Sequence, residues 1–474
     1  MKDQFASYFD KPEFKHILAR YEEMLQIGDN YYFEDSELTD IAEYYAMLGD
    51  SLGAEGALDY ALQLHPGSID ALIFKARARL INGQVSEAML IAEKLTDNND
   101  REVLFLRAEL MMATEKDHKA NDIFRALIEL ERYSANTYVD IIDLLLDNMK
   151  QEQATLWIEE AIARYPDYPQ LLESAAYCHI LEKQFDKAID IYNRLLDTDA
   201  YNIVYWEELG KIYFQTEQYD KAIESFEFAI AINDKDCYYA MHAVANSYFN
   251  IGNYEKAEEY YLHISHDYPG AANALYHMGI CRINMNDDDK ALEYFTHALA
   301  TVADDSDEQA QIYCQMSLIF SRKGEHKKAV TYIEEALKIY PDNQELTIMK
   351  GHELLCQGHF EESNQAFVEA LNNSAENTER SLFLIGVSML ENGLYNMSYY
   401  ILRQLKDNPE IDPSALYPYL CMCEWVLNEK QFKETLSEAL VQCPQKTYEI
   451  FTLEPAQGES VDNMIQRLKA IQQP

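Results

Sequence analysis

Apolar positions along this chain of 474 residues fall into paired helical stripes. The clearest pair lies in residues 203–236, where Trp206, Leu209, Gly210 and Tyr213 follow i, i+3, i+4, i+7 and Ala222, Phe226 and Ala229 follow i, i+4, i+7. Each run predicts a helix with one buried face. Gly210 and Ala222 are small where the two axes approach, and Tyr213 and Phe226 are large where space remains. The unit recurs. A second-helix alanine returns at Ala54, Ala88, Ala120, Ala154, Ala188, Ala222, Ala257, Ala291 and Ala329, at steps of 34, 32, 34, 34, 34, 35, 34 and 38 residues. Self-similarity at about 34 residues marks helix-turn-helix units that bury their apolar faces by leaning on their neighbours.

Other anchors recur with the alanine. Residues 238–271 keep Tyr248, Tyr254, Ala257, Tyr261 and Pro269, and 272–305 keep Met278, Gly279, Ala291, Phe295 and Ala298. This succession of tryptophan, leucine-glycine, tyrosine, alanine, phenylalanine, alanine and proline resembles the tetratricopeptide repeat. Looser units begin near 35, 69, 101, 135 and 169 on one side and near 310, 344 and 379 on the other. In two of the latter the alanine becomes Ser363 and Ser398, both still small. A degraded twelfth unit covers 414–446, with Tyr417, Leu420, Phe432 and Pro444 out of register.

The resemblance implies an all-α fold, a right-handed superhelical solenoid of stacked antiparallel helix pairs, over about 410 residues. The organisation expected is an N-terminal cap at 1–34, a repeat array at 35–305, its continuation at 306–446 and a C-terminal cap at 447–474. Caps are needed because a terminal repeat otherwise exposes an apolar face. Phe14, Ile17, Leu18, Tyr21 and Leu25 form one candidate stripe, and Val461, Met464, Ile465 and Leu468 the other, with Gly458 and Glu459 before it. The step of 38 places extra residues in the acidic stretch Asp304, Asp305, Ser306, Asp307, Glu308, a candidate boundary between subdomains at 302–309.

With 82 Asp and Glu against 39 Lys and Arg, the formal charge of −43 opposes binding to nucleic acid or an anionic bilayer and leaves cationic partners open. No apolar run reaches the ~18 residues of a membrane span, and Met1-Lys-Asp-Gln-Phe-Ala lacks a signal-peptide core. Eight cysteines without framework spacing suit a reducing compartment, so a cytoplasmic location is expected. Cys421 and Cys423, two apart, point to different helix faces. His352 and Cys356 stand one turn apart but lack an evident third ligand, and His263 and His266 read as packing between repeats. No glycine-rich phosphate loop, HExxH or GxSxG is present, so neither a catalytic site nor a cofactor is expected.

The function expected is therefore a non-catalytic scaffold for a protein or peptide, basic or mixed polar and apolar, with self-association as the alternative. The resemblance implies that the first helix of each unit lines a concave face. Its outward positions are Val204, Glu207, Lys211 and Phe214, then Tyr239, His242, Asn246 and Phe249, then Asn273, Tyr276, Ile280 and Asn284. Rings and amides together suit an extended peptide. The clamp by which some family members grip a terminal carboxylate is not expected, because Glu207, Glu208, Tyr276 and His277 surround Asn246 where lysine and arginine would be needed. The segment Tyr448–Leu453 is apolar and reads either as part of the cap or as a strand of chain folded into the groove.

Overall fold

The computed structural model describes residues 8–97, 99–233, 237–268, 272–304, 306–373, 378–406, 408–455 and 460–471. Pro269, Asp305, Gly458 and Glu459 lie outside these. Among the described residues there are 27 α-helices and no strands. One N-terminal helix, Pro12–Ile27, is followed by twelve helix pairs, from Asp35–Met47 with Ser51–Leu64 to Pro413–Leu427 with Phe432–Gln442, and by two closing helices, Pro444–Ile450 and Val461–Ile471. The chain forms two compact units, Met1–Thr216 and Glu217–Pro474, each a stack of antiparallel helix pairs.

The turns inside the pairs set the period. Gly49, Gly83, Glu115, Met149, Lys183, Glu217, Gly252, Asn286, Gly324, Gly358 and Gly393 all have φ between 57° and 79°. Each stands five residues before the small residue of its second helix. The following N–H closes the first helix onto a carbonyl five residues back, as Lys150 does to Leu145 at 2.8 Å and Asn253 to Tyr248 at 2.9 Å. Side-chain oxygens of Asp50, Asn253 and Asp287 then cap the second helix by accepting an N–H from its first turn. The twelfth pair departs as its sequence suggests. Asn428 keeps φ at 57°, but five residues on stands exposed Lys433, and Phe432, Thr435, Leu436 and Ala439 are buried instead.

All nine repeating alanines are buried. Why they must be small is visible in the pair at 272–299. A Cβ placed on Gly279 would lie 2.5 Å from Cε1 of Phe295, so the phenylalanine ring of the second helix rests directly on the backbone of the first. Gly351 meets Phe367 and Gly386 meets Leu402 in the same way. Ser363 and Ser398 are buried without loss, because each hydroxyl donates to a carbonyl of the first helix, Gly351 and Gly386 respectively, at 2.7 Å.

Hydrogen bonds also tie each repeat to the one before. Tyr60 donates to the carbonyl of Tyr31 and Tyr165 to that of Tyr133, both at 2.6 Å, and Tyr260 reaches Glu227 at 2.9 Å. Arg282 forks onto Glu258 at 2.6 and 2.7 Å, and Tyr294 donates to the same carboxylate at 2.9 Å.

Both ends are capped. At the N-terminus Phe14 and Tyr21 are buried, but the stripe continues through Met24, while Leu25 is exposed. At the C-terminus Tyr448, Phe451 and Leu453 pack with Cys421, Leu436, Met464 and Leu468, so the segment belongs to the cap and not to a groove. Cys421 enters that cluster, and Cys423 turns away to lie 3.3 Å from the hydroxyl of Ser398. The extra residues of the longest step enter a helix. Asp307–Arg322 has 16 residues where Ala272–Asn284 and Gln344–Cys356 have 13. The division between the two compact units falls at 216/217.

Two stability measurements test this account. Met149 holds φ at 58° with its side chain 92% exposed, so Met149→Gly removes backbone strain and no packing. It should raise unfolding free energy in urea by about 1 kcal/mol. Gly279→Ala should displace the Phe295 ring and lower it by roughly 1–3 kcal/mol. An unchanged midpoint for Gly279→Ala would mean that the two helices do not depend on this close approach.

Candidate ligand-binding faces of the first helices

The twelve residues expected to line a groove are divided between the two units. In the first, helix Ile203–Gln215 places Val204 in solvent at 56% exposure, with Glu207, Lys211 and Phe214 half-buried. Lys211 pairs with Glu208 at 2.6 Å. In the second, Tyr239, Asn273 and Asn284 are exposed on helices Tyr238–Asn250 and Ala272–Asn284. Phe249 is half-buried against Tyr254, and Tyr276 and Ile280 pack against the core around Phe295. Asn284 donates back to the carbonyl of Ile280 at 2.9 Å.

His242 and Asn246, expected as groove contacts, are half-buried and bonded to neighbouring side chains. Asn246 accepts from the Tyr261 hydroxyl at 2.6 Å and donates to Nδ1 of His242 at 3.0 Å. Tyr261 stacks on His277 with ring centroids 5.0 Å apart, and His242 meets His277 edge-on at 5.5 Å. These four side chains knit two repeats together. Burial holds His242 below the ordinary imidazole range, an effect that a hydrogen bond donated to Asn273 opposes. Burial, with His242 alongside, pushes His277 down to about 4. The expected packing histidines are elsewhere: His263 and His266 lie in solvent, with His266 on Asp267 at 2.9 Å. Rings at helical spacing beside tyrosines did not distinguish the inner helix face from the outer one.

A concavity that the sequence did not announce opens in the first unit. Three successive first helices, Ala135–Asp147, Pro169–Leu181 and Ile203–Gln215, wall a pocket of about 600 Å³. They bring together Asp143, Asp147, Glu173 and Glu208, and Tyr192 enters from a second helix, Phe185–Thr198. Burial raises the Asp143 carboxyl above the usual range, and Asp140, Asp147 and Glu173 raise it further. Acidic residues are so frequent in the chain that only their convergence on one pocket from three repeats marks these four.

His352 and Cys356 are 3.5 Å apart, with His352 also bonded to Ser388 at 2.9 Å. Among the described residues no group of three or more His, Cys, Asp or Glu side chains is placed to hold a metal. No helix among them is long and apolar enough to cross a membrane.

Family models described as tetratricopeptide repeat match residues 150–203, 203–236, 238–264 and 270–342. The chain carries tetratricopeptide repeats over residues 150–342. It is similar to human protein O-mannosyl-transferase TMTC3, at 23% identity over 256 residues, 52% of this chain and 28% of that protein. It is also similar to the CTR9 homolog of Arabidopsis thaliana, at 21% identity over 253 residues, 52% of this chain and 23% of that one. The chain thus spans about a quarter of the length of these two curated relatives. Among solved structures, the Cut9–Hcn1 hetero-tetramer of APC/C aligns over 94% of both chains at 13% identity, with a TM-score of 0.38. A repeat array of this family is a scaffold for protein–protein interaction.

The histidine pair gives a pH test. Its imidazoles are neutral in the folded state, whereas the unfolded chain takes up protons below about 6.5. The folded pKa values are depressed, so this stability is present above pH 6.5 and lost as the pH falls toward 4. Between pH 7 and 5 the wild-type protein should lose about 2 kcal/mol more unfolding free energy than His277→Phe, measured by urea titration at each pH. Parallel losses would show that His277 titrates as it does in water.

Proposed function

We propose that the chain is a non-catalytic scaffold that holds an extended segment of a protein partner on the outward face of its first helices, in the cytoplasm. The observation that carries this reading is the division of labour within each pair. Second-helix alanines, glycine-seated rings and tyrosine bridges make most of the stack, which leaves Val204, Tyr239 and Asn273 exposed on first helices. An exposed ring beside an amide offers both buried area and backbone pairing to an extended chain. The surplus of acidic residues favours a partner segment that is basic or mixes basic and apolar residues, and disfavours nucleic acid and anionic membrane. All eight cysteines are free, in keeping with a reducing compartment.

Affinity capture of native protein, followed by crosslinking mass spectrometry, tests the reading. Crosslinks should map to first helices. The double change Tyr239→Ala with Asn273→Ala should weaken the captured complex by about tenfold, the scale of an interface hot spot. Leu262→Ala, an exposed change on the second helix Tyr254–Asp267, should leave it intact. Equal loss from both variants, or crosslinks confined to second helices, would refute the concave-face reading. A particle mass that rises with concentration in light scattering, without a captured partner, would assign the chain to self-assembly instead.

A further inference from the structure

The pocket among Asp143, Asp147, Glu173 and Glu208 carries a more specific assignment, which rests on the reading that first helices hold the ligand. Its carboxylates are under-compensated. Lys211, the cation next to them, is bonded to Glu208 at 2.6 Å, and no lysine or arginine lines the pocket itself. Glu173 already accepts from the Tyr205 hydroxyl at 2.7 Å, and Ser174 turns its hydroxyl onto the carbonyl of Gln170 at 3.0 Å. Tyr192 is different. It is only 5% exposed and forms part of the pocket wall, yet among the described residues its hydroxyl has no hydrogen-bond partner. The buried ring fixes the side chain, and its hydroxyl is left open to the pocket.

Charge and shape point to the same missing group. A guanidinium is planar, offers five N–H donors in a fixed fork, stays charged in partly buried surroundings and stacks on aromatic faces. It could donate to two carboxylates and to the Tyr192 oxygen at once. Its aliphatic stem would leave the pocket along Tyr177 and Val204, both exposed at the mouth. We infer that this pocket seats an arginine side chain from an extended basic segment of a protein partner. Ligand charge relieves the mutual repulsion of the carboxylates, and the Tyr192 hydroxyl supplies selectivity that a merely acidic surface lacks. Burial and the nearness of Glu208 and Glu173 keep that hydroxyl protonated.

The test uses the full chain and a labelled peptide, Ser-Gly-Arg-Gly-Ser, with a lysine and a citrulline version of it, followed by fluorescence anisotropy at about 0.15 M salt to screen general attraction. The arginine peptide should bind more tightly than the lysine peptide, and the citrulline peptide should not bind. Asp143→Asn and Glu173→Gln, which preserve shape, should each weaken binding roughly tenfold, as expected for a hydrogen bond to a charged group. Tyr192→Phe, which changes no charge, should weaken it about threefold. Asp190→Asn, on the exposed face of helix Phe185–Thr198, removes the same charge outside the pocket and should change binding less than about twofold. Equal effects from Asp143→Asn and Asp190→Asn, or wild-type binding by Tyr192→Phe, would overturn the assignment. Circular dichroism of each variant separates a lost contact from a lost fold. Should captured partners bind these pocket variants unchanged while depending on Tyr239 and Asn273, the arginine seat fails and the scaffold reading stands.

Discussion

The close approach of the two helices in each pair is the constraint on which the remaining features depend. Where Phe295 rests on Gly279, no Cβ fits, and where the second helix turns inward only alanine or a self-satisfied serine is accepted. That contact sets how far each second helix lies from its first, and the left-handed residue five positions earlier sets the phase at which it arrives. Small side chains pull the backbones together and large ones fill the remainder, so each pair becomes a flat-sided block that can stack. A repeat with a longer first helix, such as Asp307–Arg322, remains possible because the extra turn leaves the five-residue interval from Gly324 to Ala329 untouched.

That interval explains how much of the fold was legible. The period of nine alanines, continued by Ser363 and Ser398, located all eleven regular repeats, and the loss of register at 414–446 correctly marked a pair whose buried residues are displaced. The turn was less readable. Glu115, Met149 and Lys183 occupy a conformation that glycine would advertise, and nothing local in those residue types reveals it. At the N-terminus, Met24 and Leu25 are both apolar, and a helix with 100° per residue gives either one a place on the stripe until its neighbours are known.

The candidate site was harder to read, for a related reason. Period alone identifies which helix a residue occupies but not whether its side chain meets the next repeat or the solvent. His242 and Asn246 occupy the same register as Glu207 and Lys211, which places them on the outward face by period alone, yet Tyr261 and His277 draw them into a network between repeats. The acidic pocket posed the opposite difficulty. With 82 acidic residues, proximity of two carboxylates carries no information, and Asp143, Glu173 and Glu208 are brought together only by stacking across 65 residues of chain.

Stacking also dictates what kind of ligand can use such a surface. The first helices Ala135–Asp147 and Pro169–Leu181 touch one another, so their axes are about 8–10 Å apart. An extended chain advances roughly 3.3 Å per residue. A peptide crossing the helices therefore meets an equivalent position about every third residue, whereas a helical ligand, rising about 1.5 Å per residue, would need six or seven. On the proposed reading the stack would read spacing as well as chemistry: the carboxylate pocket would select one side chain, and its neighbours on adjacent first helices would set the distance at which the next must follow. Specificity in an acidic solenoid then comes from the interval between contacts, since attraction for positive charge is spread over the entire surface and discriminates poorly.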